Sequence, residues 1–240
     1  MAGERFGLNR RELTAGLVIL PLAACHAPRR DEDGAVIRKR ESSQPTGGVS
    51  PGQLVELLKL DPSIRLDMRY ATTNNFTGRV LYEQPRAFLA RIAAEALVRA
   101  HRNAKADGFG ITIFDAYRPW QITKALWDAT PPGPQRNYVA NPKRDSRHNR
   151  GCAVDITLHR LADGKIVEMP SGFDDFSAKA HRKYEDDSAN ARRHARLLEG
   201  YMEGTGFIGL SNEWWHFDHK DWAKYPVQDV AFSDIGQSYS

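Results

Sequence analysis

From Gln53 onward the chain switches repeatedly between two hydrophobic periods. Leu54 to Leu60 is a short apolar segment closed by Asp61-Pro62, and Ile64 to Tyr70 alternates apolar and polar residues as a half-buried strand does. Over residues 87–106, Phe88, Leu89, Ile92, Ala96, Leu97 and Ala100 recur at three- and four-residue spacing, which predicts a helix that Gly108 stops. Phe109 to Phe114 is rich in β-branched residues and reads as a strand. Pro119 opens a second helix, and a polar loop follows from Thr130 to Arg147. Cys152 to Leu158 predicts another strand, with Gly164 in a turn before Lys165 to Met169. Ala189 to Glu203 predicts a helix closed by Gly204 and Gly206, and Glu213 to Asp218 a last apolar strand. Strands and helices interleave without a regular βαβ repeat. The expectation is a single α+β domain whose small, mostly antiparallel sheet is flanked by helices.

The residues before Gln53 follow different rules. Arg10-Arg11 stand just before the apolar run Leu13 to Ala24. That run, about 12 residues, falls short of the ~20 that a helix needs to cross a bilayer. Residues 1–25 therefore read as a secretory signal, with adjacent arginines like those of the twin-arginine export route. Leu22-Ala23-Ala24-Cys25 resembles a bacterial lipobox, in which Cys25 becomes the lipidated N-terminus; a small-residue cleavage site with an incidental cysteine is the alternative. Residues 26–52, with Pro28, Pro45, Gly47, Gly48, Pro51 and Gly52, read as a flexible linker. This assigns 1–25 to a signal peptide, 26–52 to the linker, 53–232 to the folded domain and 233–240 to a tail. The expected location is periplasmic, or on the outer face of a membrane through the lipid on Cys25 alone.

Composition narrows the function classes. The 240 residues are 41% hydrophobic and 27% charged, as in ordinary globular proteins, and the net charge of +4 is mild. Lys and Arg are interspersed with acids, as in Arg182-Lys183-Tyr184-Glu185-Asp186-Asp187, and no nucleic-acid motif is present, so no nucleic-acid partner is expected. The two cysteines, Cys25 and Cys152, lie in such different contexts that they are not expected to pair. Cys152, between Gly151 and Ala153, is expected to be buried. Oligomeric state is left open.

Three residues sit where their neighbours do not suit them. Asp155 lies inside the apolar run Ala153-Val154-Asp155-Ile156, where a carboxylate is costly unless paired or metal-bound. His216 is flanked by Trp214, Trp215 and Phe217, and His148 precedes Asp155 by seven residues across Gly151. Catalytic zinc takes three such nitrogen or oxygen ligands and keeps its fourth position for water. Glu213, a candidate base, stands three residues before His216. In a strand that odd offset puts the two on opposite faces, so a bend or strand end is expected at Glu213. Spacing alone leaves each group open to the plainer reading of a satisfied core or surface side chain. His159, His181, His194 and His219 are read that way here.

Ser146-x-His148-x-x-Gly151-x-Ala153-x-Asp155, followed by Glu213-Trp214-Trp215-His216, resembles the VanX-type D-alanyl-D-alanine dipeptidases, zinc enzymes related to D,D-carboxypeptidases and the Hedgehog domain. Asp67 to Gly78, Asp115-Ala116-Tyr117-Arg118-Pro119 and Met169 to Asp174 are similar to further segments of that family, so the likeness spans about residues 53–226. The resemblance implies a Hedgehog/D,D-peptidase-like fold and one zinc ion per subunit on His148, Asp155 and His216. It implies Glu213 as catalytic base and Arg118 as transition-state stabiliser. It places Tyr70, Ser146 and Asp174 around a small D,D-dipeptide, with Asp174 suited to the ammonium group; for Tyr70 and Ser146, a packed tyrosine and a turn serine remain the alternatives. Asn149 and Cys152 stand where the family often has serine, and Pro170 where glycine is usual. The implied reaction is hydrolysis of D-Ala-D-Ala to two D-alanines, in wall metabolism or glycopeptide resistance. A D,D-carboxypeptidase trimming peptidoglycan stems and a catalytically silent wall-binding lipoprotein are the competing readings.

Overall fold

The structure is a computed structural model that describes residues 53–185 and 188–236. The signal segment with Cys25 and the linker up to residue 52 lie outside the described residues. Five strands form the main sheet: β2 (Arg65–Leu66), β4 (Phe109–Asp115), β5 (Ala153–Arg160), β7 (His216–His219) and β6 (Phe207–Gly209), in the order β2-β4-β5-β7-β6. Only β2 and β4 are parallel, as the expectation of a mostly antiparallel sheet required. A second, two-stranded sheet pairs β1 (Leu54–Glu56) with β3 (Phe88–Ala90).

β5 is the central strand, buried from Ala153 through His159. Its even positions, Val154, Ile156 and Leu158, join the apolar core, while Asp155 takes the other face. Helix α2 (Arg91–Ala106) contacts β4 with a face built largely of alanine (Ala93, Ala94, Ala96, Ala100 and Ala104), small enough to let the helix lie close. Helix α4 (Ala189–Glu203) packs beside it, adding Leu198 and Met202 to the same core. The Ser188 hydroxyl caps α4 by accepting from the Ala191 amide at 3.0 Å. Pro119 is the N-cap of helix α3 (Trp120–Ala129).

Where β4 meets β5 the register shifts. Ile113 stands opposite Ile156, but Asp115, not Phe114, stands opposite Asp155. One extra residue on β4 thus turns Asp115 onto the face that carries Asp155, a re-aiming that bulges characteristically perform. Phe114 instead packs on Phe173, ring centroids 4.9 Å apart.

Several expected boundaries moved. The alternation from Ile64 to Tyr70 yields only the two-residue β2 and then a 3₁₀ turn at Arg69–Ala71. The Asp67 amide makes the last bond toward β4, to Ile113 O at 2.8 Å, and the turn that follows buries Met68 and Tyr70 together. Helix α2 starts at Arg91, because Phe88–Ala90 is claimed by β1. Lys165 to Met169 forms a single bridge, Ile166 to His159. β6 was masked by its glycines, and Leu57–Leu60 is one helical turn, α1.

Gly151 closes the His148–Arg150 turn in the left-handed region, at φ 66°. A Cβ there would lie 2.8 Å from the Ala90 amide nitrogen and 2.6 Å from Leu54 Cδ2. Backbone cannot yield as a side-chain tip can. Gly151→Ala should therefore cost more than about 1 kcal/mol and lower the melting temperature by at least about 2–4 °C, as read by calorimetry.

Candidate active site

His148, Asp155 and His216 converge, with one ligand atom of each within 4.8 Å of the others. His148 Nε2 lies 3.2 Å from His216 Nδ1 and 3.5 Å from Asp155 Oδ1, and that oxygen is 3.0 Å from His216 Nδ1. Ligands about 2.0–2.1 Å from a tetrahedral zinc stand about 3.3–3.4 Å apart, close to the triangle seen here. The outer ring nitrogens are spoken for. His148 Nδ1 donates to Ala116 O at 2.7 Å and His216 Nε2 to Asp218 Oδ1 at 2.9 Å, so that each ring, as a neutral imidazole, would offer the lone pair of its inner nitrogen to a metal. Two imidazole nitrogens and a carboxylate oxygen aimed at one point are the donor set that catalytic zinc takes, so the residues fit that metal.

The local folding follows from simple rules. Asp155 and His216 are cross-strand partners, and Ala153 faces Asp218 one step on, so Asp155, His216 and Asp218 share one face. His148 enters from the 3₁₀ turn that Gly151 ends. Glu213 precedes β7, which begins only at His216; Trp214 and Trp215 form a bend. That bend removes the odd-offset difficulty, as expected, and Glu213 Oε2 stands 4.0 Å from His216 Nδ1. Arg182 fixes the bend by donating to Leu210 O at 2.9 Å and His216 O at 2.7 Å.

Electrostatics suits this arrangement to proton transfer. Burial opposes charge on Asp155, but His148 and His216 hold its carboxyl well below the usual carboxylate range. Burial likewise disfavours the His216 imidazolium, yet the hydrogen bonds to Asp155 and Asp218 win and raise its pKa to about 10 in the metal-free protein. For Glu213, burial leads and Asp155 adds to it, against the pull of His216 and Arg118, so its pKa rises to about 7. A carboxyl near that value suits general acid and base work alike.

Arg118 lies buried beside the cluster, with Nε and Nη2 both bonded to Asp115 Oδ2 at 2.9 and 2.6 Å. The other Asp115 oxygen accepts from Tyr82 Oη at 2.6 Å and the Ala116 amide at 2.9 Å. Arg118 Nη1 makes no hydrogen bond among the described residues. The guanidinium lies 5.3 Å over the Tyr70 ring, and Tyr70 Oη donates to Asp174 Oδ2 at 3.1 Å. Asp174 is a non-glycine residue at φ 57°, a strained conformation of the kind that collects at functional sites. Burial and the nearby Asp155 push its carboxyl well above its ordinary range, the mark of an anion short of a cation. Ser146 is a turn serine in part, its Oγ accepting from the His148 amide at 3.3 Å. Tyr70, Arg118, Ser146, Asp174, Glu213 and the three candidate ligands all line one cavity of about 200 Å³.

Sequence reading missed Asp115 and Asp218. Asp218 is two residues beyond His216, so strand period alone put it on the same face. Asp115 gave no such signal, because the bulge inverted its parity. Asn149 satisfies three groups: it accepts from the Ser146 amide and donates to Arg118 O and Thr123 Oγ1. The four histidines expected to be structural or exposed stand apart from the cluster. His159 pairs with Thr112 Oγ1, His181 with Tyr138 Oη and His194 with Glu168 O, and buried His219 accepts from the Asp221 amide. Cys152 is buried, and burial pushes its thiol up to about 12, which leaves it inert.

Residues 51–235 match the family model described as D-ala-D-ala dipeptidase. A D-alanyl-D-alanine dipeptidase of Escherichia coli (strain K12) is 38% identical over 181 residues, covering 75% of this chain and 92% of that one. One from Enterococcus faecium is 34% identical over 175 residues, covering 66% of this chain and 87% of its own. The solved LdcB LD-carboxypeptidase overlaps 74% of this chain and 73% of its own at 18% identity, with a TM-score of 0.41, too distant to carry weight.

Asp218 provides a test of the metal centre. Asp218→Ala removes the acceptor that fixes the His216 tautomer, and loss of such a partner typically weakens metal binding about 10–100-fold. Competition against a chromophoric chelator should show that drop in zinc affinity. An unchanged affinity would remove Asp218 from the site.

Proposed function

The chain belongs to the D-Ala-D-Ala dipeptidase family, and from that premise we propose that it hydrolyses D-alanyl-D-alanine to two D-alanines with one zinc ion per subunit. The observation that carries this reading is the convergence of His148 Nε2, His216 Nδ1 and Asp155 Oδ1 on one point, with the buried Glu213 carboxylate 4.0 Å from His216 Nδ1. Bound zinc supplies Lewis acidity, polarising the scissile carbonyl and lowering the pKa of water to about 7 from about 15.7.

The chain's own groups do the rest. His148, Asp155 and His216 hold the metal. Glu213 takes the proton of the attacking water and passes it to the leaving amine. Arg118, held by Asp115 with Nη1 to spare, stabilises the developing oxyanion; loss of such a donor costs about 10²–10³ in rate. Asp174 and Tyr70 receive the substrate ammonium, and Ser146 lines the same cavity.

A cavity of about 200 Å³ suits a dipeptide, being smaller than the ~300–1,000 Å³ of drug-sized sites. That favours free dipeptide over a peptidoglycan stem. The presence of Glu213 disfavours a silent binding module, which has no use for a base. The proposal extends to location. Arg10-Arg11, the Leu13 to Ala24 run and Cys25 support export by the twin-arginine route to the periplasm, or to an outer membrane face with a lipid on Cys25.

Two measurements test the reading. The zinc-loaded domain should hydrolyse free D-Ala-D-Ala far faster than a pentapeptide stem; the reverse preference would make it a D,D-carboxypeptidase. Glu213→Ala should abolish turnover while zinc content by atomic absorption stays at one per chain. Normal activity in that variant would sink the mechanism.

A further inference from the structure

A dipeptide at neutral pH is a zwitterion, and the site described so far recognises only one of its ends. Asp174 and Tyr70 suit the ammonium. The carboxylate needs a cation, and Arg118 has committed two of its nitrogens to Asp115. The cavity wall holds one other arginine, Arg147.

Arg147 is well placed for the task. Its guanidinium lies 4.6 Å over the Trp222 ring, which fixes the plane of the fork. Nε is 3.6 Å from Asp218 Oδ2, and neither Nη atom makes a hydrogen bond among the described residues. Both nearby carboxylates have other partners: Asp218 accepts from His216, and Asp145 pairs with Arg150 at 3.3 Å. The side chain is 44% exposed, so it stands at the cavity rim and not in the core. A planar, oriented fork with free donors is the form in which arginine binds carboxylates in bidentate fashion.

The spacing agrees. Tyr70 packs beside Arg118, which follows β4, whereas Arg147 reaches Asp218 on β7, with Asp155 on β5 between them. Two inter-strand steps of about 4.8 Å separate these flanks by roughly 10 Å. Two extended residues span about 7 Å, and a hydrogen bond at each end makes up the difference.

We propose that Arg147 anchors the substrate's C-terminal carboxylate and makes the enzyme selective for a free C-terminus. This rests on the dipeptidase reading above and adds the group that measures where the substrate ends. Arg147 is a specificity residue, so its effect falls on KM and not on kcat.

The test compares D-Ala-D-Ala with its C-terminal amide on wild type, Arg147→Gln and Arg147→Lys, all zinc-loaded. A lost charge-assisted contact should raise KM for the free dipeptide about ten- to hundredfold in Arg147→Gln. The amide KM and both kcat values should stay put, and Arg147→Lys should fall between. Equal changes for both substrates, or none, would overturn the proposal. Calorimetric binding of the same two ligands to zinc-loaded Glu213→Gln repeats the comparison without turnover. Failure of the hydrolytic reading and failure of the carboxylate contact are thereby read separately.

Discussion

Asp155 brings a carboxylate into the central strand of the sheet, and the chemistry of the site is organised by the need to balance it. Around it lie Asp115, Glu213 and Asp218, also buried, with Asp174 close by. Among the described residues Arg118 is the one guanidinium buried with them, and it is bonded to Asp115. Such an excess of negative charge in a low-dielectric interior is tolerable only with cations present. A dication among His148, Asp155 and His216 and an ammonium beside Asp174 are the two that the proposed reaction brings. The residues that make the fold costly without ligand are those that make it bind.

This charge pattern explains what could be read from the sequence. Helix α4 was legible to the residue, because Ser188 caps it and its apolar positions repeat cleanly. Asp155 and His216 stood out as polar groups in apolar strands, and the family resemblance joined them to His148, Glu213 and Arg118. Less legible were features decided by tertiary pairing. Phe88 to Ala90 carries helical spacing yet pairs with β1, and the alternation through Tyr70 stops once Asp67 spends its amide on β4. The bend at Trp214-Trp215 was anticipated only as a requirement of Glu213. Nothing local in those two tryptophans encodes it; Arg182, some thirty residues earlier in the chain, holds it in place.

Two of the departures that the resemblance implies, Asn149 and Cys152, fall on supports and leave the reacting groups alone. Asn149 ties the Ser146 turn to Arg118 and helix α3 through both ends of its amide, a job that a serine hydroxyl cannot do at that span. Cys152 lies under the same turn, inert and close to Gly151. Both changes sit where packing is tight and the metal ligands are untouched.

The register shift beside Phe114 constrains how this chain can vary. Substitution at that position exchanges one packed ring for another shape, a graded loss. Regular pairing at unchanged length is different in kind: it would set Asp115 opposite Val154, on the core face, and take the support of Arg118 with it. The segment from Ile113 to Asp115 should therefore tolerate changes of side chain far better than loss of its bulge at unchanged length. A designer grafting this site onto an idealised sheet would have to carry the irregularity along with the residues.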